Sequence, residues 1–161
     1  MPPRALIPLE SIDPDQVVAT IETIRLANPQ RYEMEQLSHI CYANVEAGEV
    51  AGVLDVAEEP FWARGHIPGR PLMPGVIMLE AAAQLCSYFV RQVYDTEEFA
   101  NRFFGFGGID GVKFRGTIFP GQRVILLGRK NEVRARRAVF DTQGWVDGAM
   151  AFQAKITGMW V

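Results

Sequence analysis

The sequence predicts an α+β protein in which an antiparallel sheet wraps round one long central helix. Three observations carry that expectation. Residues 75–94, GVIMLEAAAQLCSYFVRQVY, have helical spacing and are apolar nearly all the way round, as a helix buried in the middle of a fold must be. Six extended runs, rich in strand-forming residues, are punctuated by glycine and proline. Helix and strands do not alternate regularly, which disfavours a parallel βαβ arrangement.

Taken in order, residues 1–12 read as a loose N-terminal arm containing Pro2, Pro3 and Pro8. Asp13-Pro14 supplies a helix cap followed by proline at the first helical position, and Val17, Val18, Ile21, Ile24 and Leu26 continue the helix to about Ala27. Asn28-Pro29 stops it. Residues 36–46 and 49–56 read as strands joined at Ala47-Gly48-Glu49. Residues 57–73 are irregular, with Pro60, Gly65, Pro68, Gly69 and Pro71. Pro74-Gly75 opens the long helix. Strands at 103–114, 122–133, 134–144 and 147–160 follow, marked by Gly107-Gly108, Pro120-Gly121 and Gln143-Gly144.

The length, 161 residues, suits one domain spanning 1–161. Hydrophobic residues at 48% and charged residues at 22% exclude a disordered chain. No apolar run reaches 18 residues, so no membrane insertion is expected. The N-terminus lacks a basic start and long apolar core, so a signal peptide is not expected. Cys41 and Cys86 show no metal-ligand spacing, which leaves a cytoplasmic protein without disulfide or metal as the expectation. Residues 1–60 carry 3 basic and 11 acidic side chains, whereas 99–137 carry nine basic against Asp110 and Glu132. That basic stretch suits an acidic partner, or else forms solvated strand faces. Nucleic acid is a poor reading for a chain of net charge −3 with no recognition motif.

The chain has two histidines. His39 sits in a strand and reads as structural. His66 lies between glycines and prolines on a stiff loop, where a neutral imidazole is available as a base. Glu80 lies fourteen residues later, flanked by Leu79 and Ala81–Ala83. Burial there would raise its pKa and keep a proton to donate. One base and one acid are what an α,β-elimination needs. Gly75 at the helix start offers unpaired N–H groups to a developing oxyanion. Each residue alone has a bland explanation: a structural histidine, a paired glutamate, a packing glycine. Their order along the chain favours chemistry only modestly.

The residues Gly65-His66-Ile67-Pro68-Gly69-Arg70-Pro71-Leu72-Met73-Pro74-Gly75-Val76, followed by Leu79-Glu80-Ala81-Ala82-Ala83-Gln84, make the chain specific. They resemble the GHFPGxPxMPGVxxxEAxAQ signature of the β-hydroxyacyl-acyl carrier protein dehydratases of fatty acid synthesis. Pro29-Gln30-Arg31-Tyr32, Glu59-Pro60-Phe61-Trp62 and the segment 106–121 resemble flanking parts of that family. The resemblance implies a hot-dog fold with the long helix as the sausage. It implies a homodimer, often assembled into trimers of dimers, in which His66 of one subunit faces Glu80 of the other. It implies that His66 removes the α-proton, that Glu80 donates to the departing hydroxyl, and that the Gly75 amide holds the thioester oxygen. Gln84, one turn beyond Glu80, would orient it. Phe61 and Phe104 are candidates to line the acyl channel, beside Trp62, Phe89, Phe103 and Phe106. The substrate would be an acyl group on phosphopantetheine of acyl carrier protein, and Lys113 and Arg115 would contribute to its docking. No metal or organic cofactor is implied.

The chain departs from the family pattern at Ile67 for phenylalanine, Gln30 for histidine and Ser38-His39 for an Asp-Arg pair. None of these removes the acid or the base. A hot-dog thioesterase, an enoyl-CoA hydratase or a non-catalytic acyl-binding paralogue are the alternative readings.

Overall fold

The structure, a computed structural model, describes residues 3–94 and 96–161, so Pro2 of the expected arm lies outside the described residues. The elements run α1 (Ile21–Ala27), β1 (His39–Asn44), β2 (Glu49–Asp55), α2 (Gly75–Val93), β3 (Phe104–Phe114), β4 (Arg123–Val133), β5 (Arg137–Val146) and β6 (Ala149–Trp160). The strands form one sheet in the order β1-β2-β4-β5-β6-β3, with every neighbouring pair antiparallel. The sheet curls round α2, which touches β2, β3, β4, β5 and β6. Leu85, Cys86 and Phe89 on α2 are wholly buried, and the Phe89 ring meets Phe140 of β5 edge to face at 5.5 Å. This is the architecture the sequence pattern requires, and it is that of the hot-dog fold.

The arm is packed, not loose. Ile7 and Ile12 are buried on the outer face of the sheet with Cys41, Ala51, Val53, Leu127, Trp145 and Met150. Gln143 of β5 ties the arm down: its Oε1 accepts from the Leu6 N–H at 2.9 Å and from the Trp145 indole at 3.0 Å, and its Nε2 donates to the Arg4 carbonyl. Alternating β5 side chains put Gln143 and Trp145 on that outer face, so the sheet has apolar surface on both sides to cover.

Two boundaries differ from the sequence reading. The helix expected from Asp13 begins only at Ile21. The Asp13 carboxylate instead accepts the Asp15 N–H in a local turn, and Val18 and Ala19 pair with Ile40 at the edge of β1. Two β-branched valines and an unpaired strand edge draw this segment out of the helix. The β5–β6 turn falls at Asp147-Gly148, both in the left-handed region, rather than at Gln143-Gly144. Gly144 lies inside β5 because the Phe152 ring of β6 covers it; a Cβ there would stand 2.1 Å from Phe152 Cε1.

The two sheet edges are unlike. β1 is covered by residues 18–19. β3 leaves its outer edge open, with Phe106, Ile109 and Phe114 exposed along it. Among the described residues no helix is long and apolar enough to cross a membrane.

Candidate active site

His66 is held by the loop between β2 and α2. Buried Trp62 and Met73 anchor the loop, the His66 N–H donates to the Trp62 carbonyl at 2.8 Å, and the Met73 N–H donates to Ile118. The ring is oriented by the Leu72 carbonyl, 2.7 Å from Nδ1. A carbonyl oxygen only accepts, so Nδ1 carries the proton and Nε2 presents its lone pair. The turn after it is strained: Ile67 is left-handed at φ 57°, an uncommon conformation for a β-branched side chain, and Gly69 follows at φ 85°.

Gly75 begins α2 immediately after this loop. Pro74 supplies no side-chain cap, and the first intrahelical bond is from Ile77 to Pro74, so the Gly75 and Val76 amides lie outside the helix ladder. The Phe114 ring of β3 sits on Gly75, where a Cβ would be 2.6 Å from Cζ. Only glycine permits that contact.

Glu80 is half-buried in the chain, not fully buried as the sequence reading expected. The small alanines around it leave one side open towards a cavity. Its carboxylate is positioned by Gln84, one turn along α2. Gln84 Nε2 donates to Glu80 Oε1 at 2.8 Å and to the Met34 carbonyl at 2.7 Å, while its Oε1 accepts the Gln36 N–H at 2.9 Å. The Asn28 side chain donates to the Gln84 backbone carbonyl. Gln84 is buried and its side chain reaches Glu80, so within one chain it stands behind the carboxylate. Asn28 and Gln36 were not singled out from the sequence. Their contribution depends on contacts across 48 to 56 residues that no local pattern records.

A cavity of about 180 Å³ opens beside Glu80, walled by Ala83, Ser87, Phe103, Phe104 and Gln30. Phe104 is buried and lies over Gly158, where a Cβ would clash at 1.9 Å. Phe61 is placed elsewhere. It stands half exposed at a second hollow with Trp62, Met73 and Glu33, so within one chain it does not line the Glu80 cavity. Phe89 is core. His66 does not border the Glu80 cavity either. The chain thus holds the two candidate groups in separate places: His66 on the loop before α2, and Glu80 with Gln84 and Phe104.

His39 is structural, as expected: its Nε2 is 2.8 Å from the Pro14 carbonyl. Cys41 and Cys86 are buried free thiols, and burial pushes the Cys41 thiol up to about 11 and the Cys86 thiol higher still. The basic stretch is not one face. Arg123 is engaged by Asp55 and Asp15, and Arg134 and Arg137 surround Glu132 at the far end of β4. Lys113 and Arg115 lie on either side of Phe114, which covers Gly75. Among the described residues no three His, Cys, Asp or Glu side chains converge as a metal site would need.

A helix wrapped by a six-stranded antiparallel sheet, with a histidine loop leading into its N-terminus, defines a hot-dog protein. The chain belongs to the FabA-like domain family, whose model matches residues 28–155. It is 32% identical over 138 residues to a 3-hydroxyacyl-acyl-carrier-protein dehydratase, FabZ, of Streptococcus equi subsp. zooepidemicus, covering 85% of this chain and 94% of that protein. It is 37% identical over 99 residues to the protein of the same name in Albidiferax ferrireducens. That match spans 62% of this chain and 65% of its relative's length. Among solved structures, the dehydratase heterocomplex ApeI:P of Xenorhabdus doucetiae superposes with a TM-score of 0.70 at 13% identity, covering 86% of this chain and 90% of that one. A Pseudomonas aeruginosa thioesterase superposes with a TM-score of 0.57 at 17% identity, covering 76% and 81%. At such identities these two likenesses speak for the fold alone.

Proposed function

We propose that this protein dehydrates (3R)-3-hydroxyacyl groups carried on acyl carrier protein to trans-2-enoyl thioesters, in fatty acid or related lipid synthesis. The observation that carries the reading is the orientation of His66. With its Nδ1 proton committed to Leu72, the Nε2 lone pair is free to take the α-proton. Glu80 gives its proton to the leaving β-hydroxyl, so water departs and the carboxylate is left to be reprotonated. Gln84 keeps the carboxylate aimed through the bond at Oε1. The Gly75 amide at the positive end of α2 stabilises the enolate oxygen as charge develops. Each step uses the protein's own groups. The names of its FabZ relatives support the substrate class.

The two halves of the machinery are joined by dimerisation. The open β3 edge carries exposed Phe106, Ile109 and Phe114, and Val76 at the start of α2 is 71% exposed. A second copy pairing along that edge covers this apolar surface and brings His66 of one subunit to Glu80 of the other. Trimers of dimers are a further step consistent with the family. Lys113 and Arg115, beside the helix start, are the cations that suit an acidic carrier protein delivering its phosphopantetheine arm. Two buried free thiols suit a reducing cytoplasm.

The test is enoyl thioester formation from 3-hydroxyacyl-carrier protein by wild type, His66→Ala and Glu80→Gln. Each variant is expected to lose about 10²- to 10⁴-fold in kcat while remaining folded. Mixing the two variants after subunit exchange is expected to restore roughly a quarter of wild-type activity, because half the dimers are mixed and each mixed dimer has one intact pair. No restoration would place both groups within one chain. Release of free thiol instead of enoyl product would identify a thioesterase.

A further inference from the structure

Three consecutive residues take hold of Gln84. The Met34 carbonyl accepts from its Nε2 and the Gln36 N–H donates to its Oε1, so the backbone on either side of Glu35 grips both ends of the side-chain amide. The grip settles which end meets Glu80. A backbone N–H only donates, so the oxygen end faces Gln36 and the NH2 end faces Met34 and Glu80. With that N–H aimed at Glu80 Oε1, the Glu80 proton resides on Oε2. An amide turned the other way would set its oxygen against Glu80 and strand the buried Gln36 N–H.

The gripping segment is itself fastened at its midpoint. The Glu35 side chain, 16% exposed, takes two parallel bonds from Arg25 of α1: Nε to Oε1 at 2.8 Å and Nη2 to Oε2 at 2.9 Å. Exposed ion pairs usually contribute little, but a bidentate arginine–carboxylate pair fixes geometry as well as charge. Arg31 closes the turn out of α1 by donating to the carbonyls of Arg25, Asn28 and Gln30. Arg25, Glu35 and Gln84 border one crevice of only about 10 Å³, so the clamp packs directly against the amide it serves. Neither Arg25 nor Glu35 borders the Glu80 cavity.

We propose that Arg25 and Glu35 are positioning residues for the acid: they hold residues 34–36 so that Gln84 presents its N–H to Glu80 and leaves the proton on the free carboxyl oxygen. The inference rests on the dehydratase reading of the same site.

The test is a double-mutant cycle read in enoyl thioester formation. Arg25→Met, which removes the guanidinium and keeps the apolar stem, is expected to lower kcat about fivefold with KM little changed. Glu35→Leu removes the same bonds from the other side and should do the same, while Arg25→Lys keeps one charged bond and should recover part of the loss. In a Gln84→Leu background, Arg25→Met should lower kcat by less than about twofold, because the link it acts through is already gone. A clamp that merely stabilises the fold would lower kcat equally in both backgrounds, and that result overturns the proposal. The second readout is the Gln84 side-chain amide in nitrogen-15 NMR, identified as the signal pair that Gln84→Leu deletes. Arg25→Met is expected to shift both protons and hasten their exchange with solvent; unmoved signals overturn the proposal. If the wild type forms no enoyl product, the dehydratase reading falls and the amide signals alone decide whether the pair holds Gln84.

Discussion

The two edges of the sheet meet the same problem with opposite solutions. At β1 the chain closes its own edge: Val18 and Ala19 donate to the Ile40 carbonyl, and Ile40 donates back to Ala19. At β3 nothing among the described residues does so, and an eleven-residue strand is left with large apolar side chains exposed. Edge strands invite pairing with another chain, and proteins usually blunt them. On the proposed reading, the bare edge is the one a second copy of the chain covers. The bare edge also carries Phe114, which covers Gly75, and Phe104 and Phe106, which wall the Glu80 cavity. The edge left open is the one beside the candidate site.

Ile109→Lys should break this contrast most severely. A charge at the middle of β3 should convert the dimer to monomer in light scattering and take enoyl formation to background, with the fold retained in circular dichroism. Val18→Pro at the closed edge removes one donor, should cost about 1–3 kcal/mol in a denaturant titration and should leave dimer and activity in place. Gln84→Leu should lower kcat about tenfold with KM little changed, since it strands the Gln36 N–H and the Met34 carbonyl and frees Glu80. An unchanged kcat would reduce Gln84 to packing. Gly158→Ala, which drives a methyl into Phe104, should cost about 1–3 kcal/mol and lower activity on the open side of the sheet. The smallest effect is expected at Ile67→Gly, which relieves a left-handed isoleucine and should raise stability by about 1 kcal/mol or less. Lower stability there would mean that the Ile67 side chain is held by contacts worth more than its strain.

The parts legible in the sequence were those written in local pattern. The apolar spacing of α2 and the turn residues between strands foretold the layers. The histidine loop, Gly75 and Glu80 were legible as a motif, and so was Gln84, because i and i+4 face one another on a helix. What stayed hidden was set by contacts across the chain. Asp13-Pro14 is a sound helix start, yet the free edge of β1 outbid it. Gln143-Gly144 reads as a turn until Phe152 is seen lying over Gly144. Phe61 stands apart from the Glu80 cavity within one chain, since aromatic composition does not say which side of a loop a ring faces.

The knot of bonds at Gln143 has a consequence for the order in which the molecule is made. The arm is synthesised before its anchor, which lies 137 residues later in the sequence. Throughout synthesis Ile7 and Ile12 therefore have no seat, and once the strands assemble their outer face waits uncovered for the arm to return. Contacts so distant in sequence form late in folding. The arm is thus a closing clasp: shortening it should leave refolding rates nearly as they are, while quickening unfolding and opening Cys41 beneath it to alkylation.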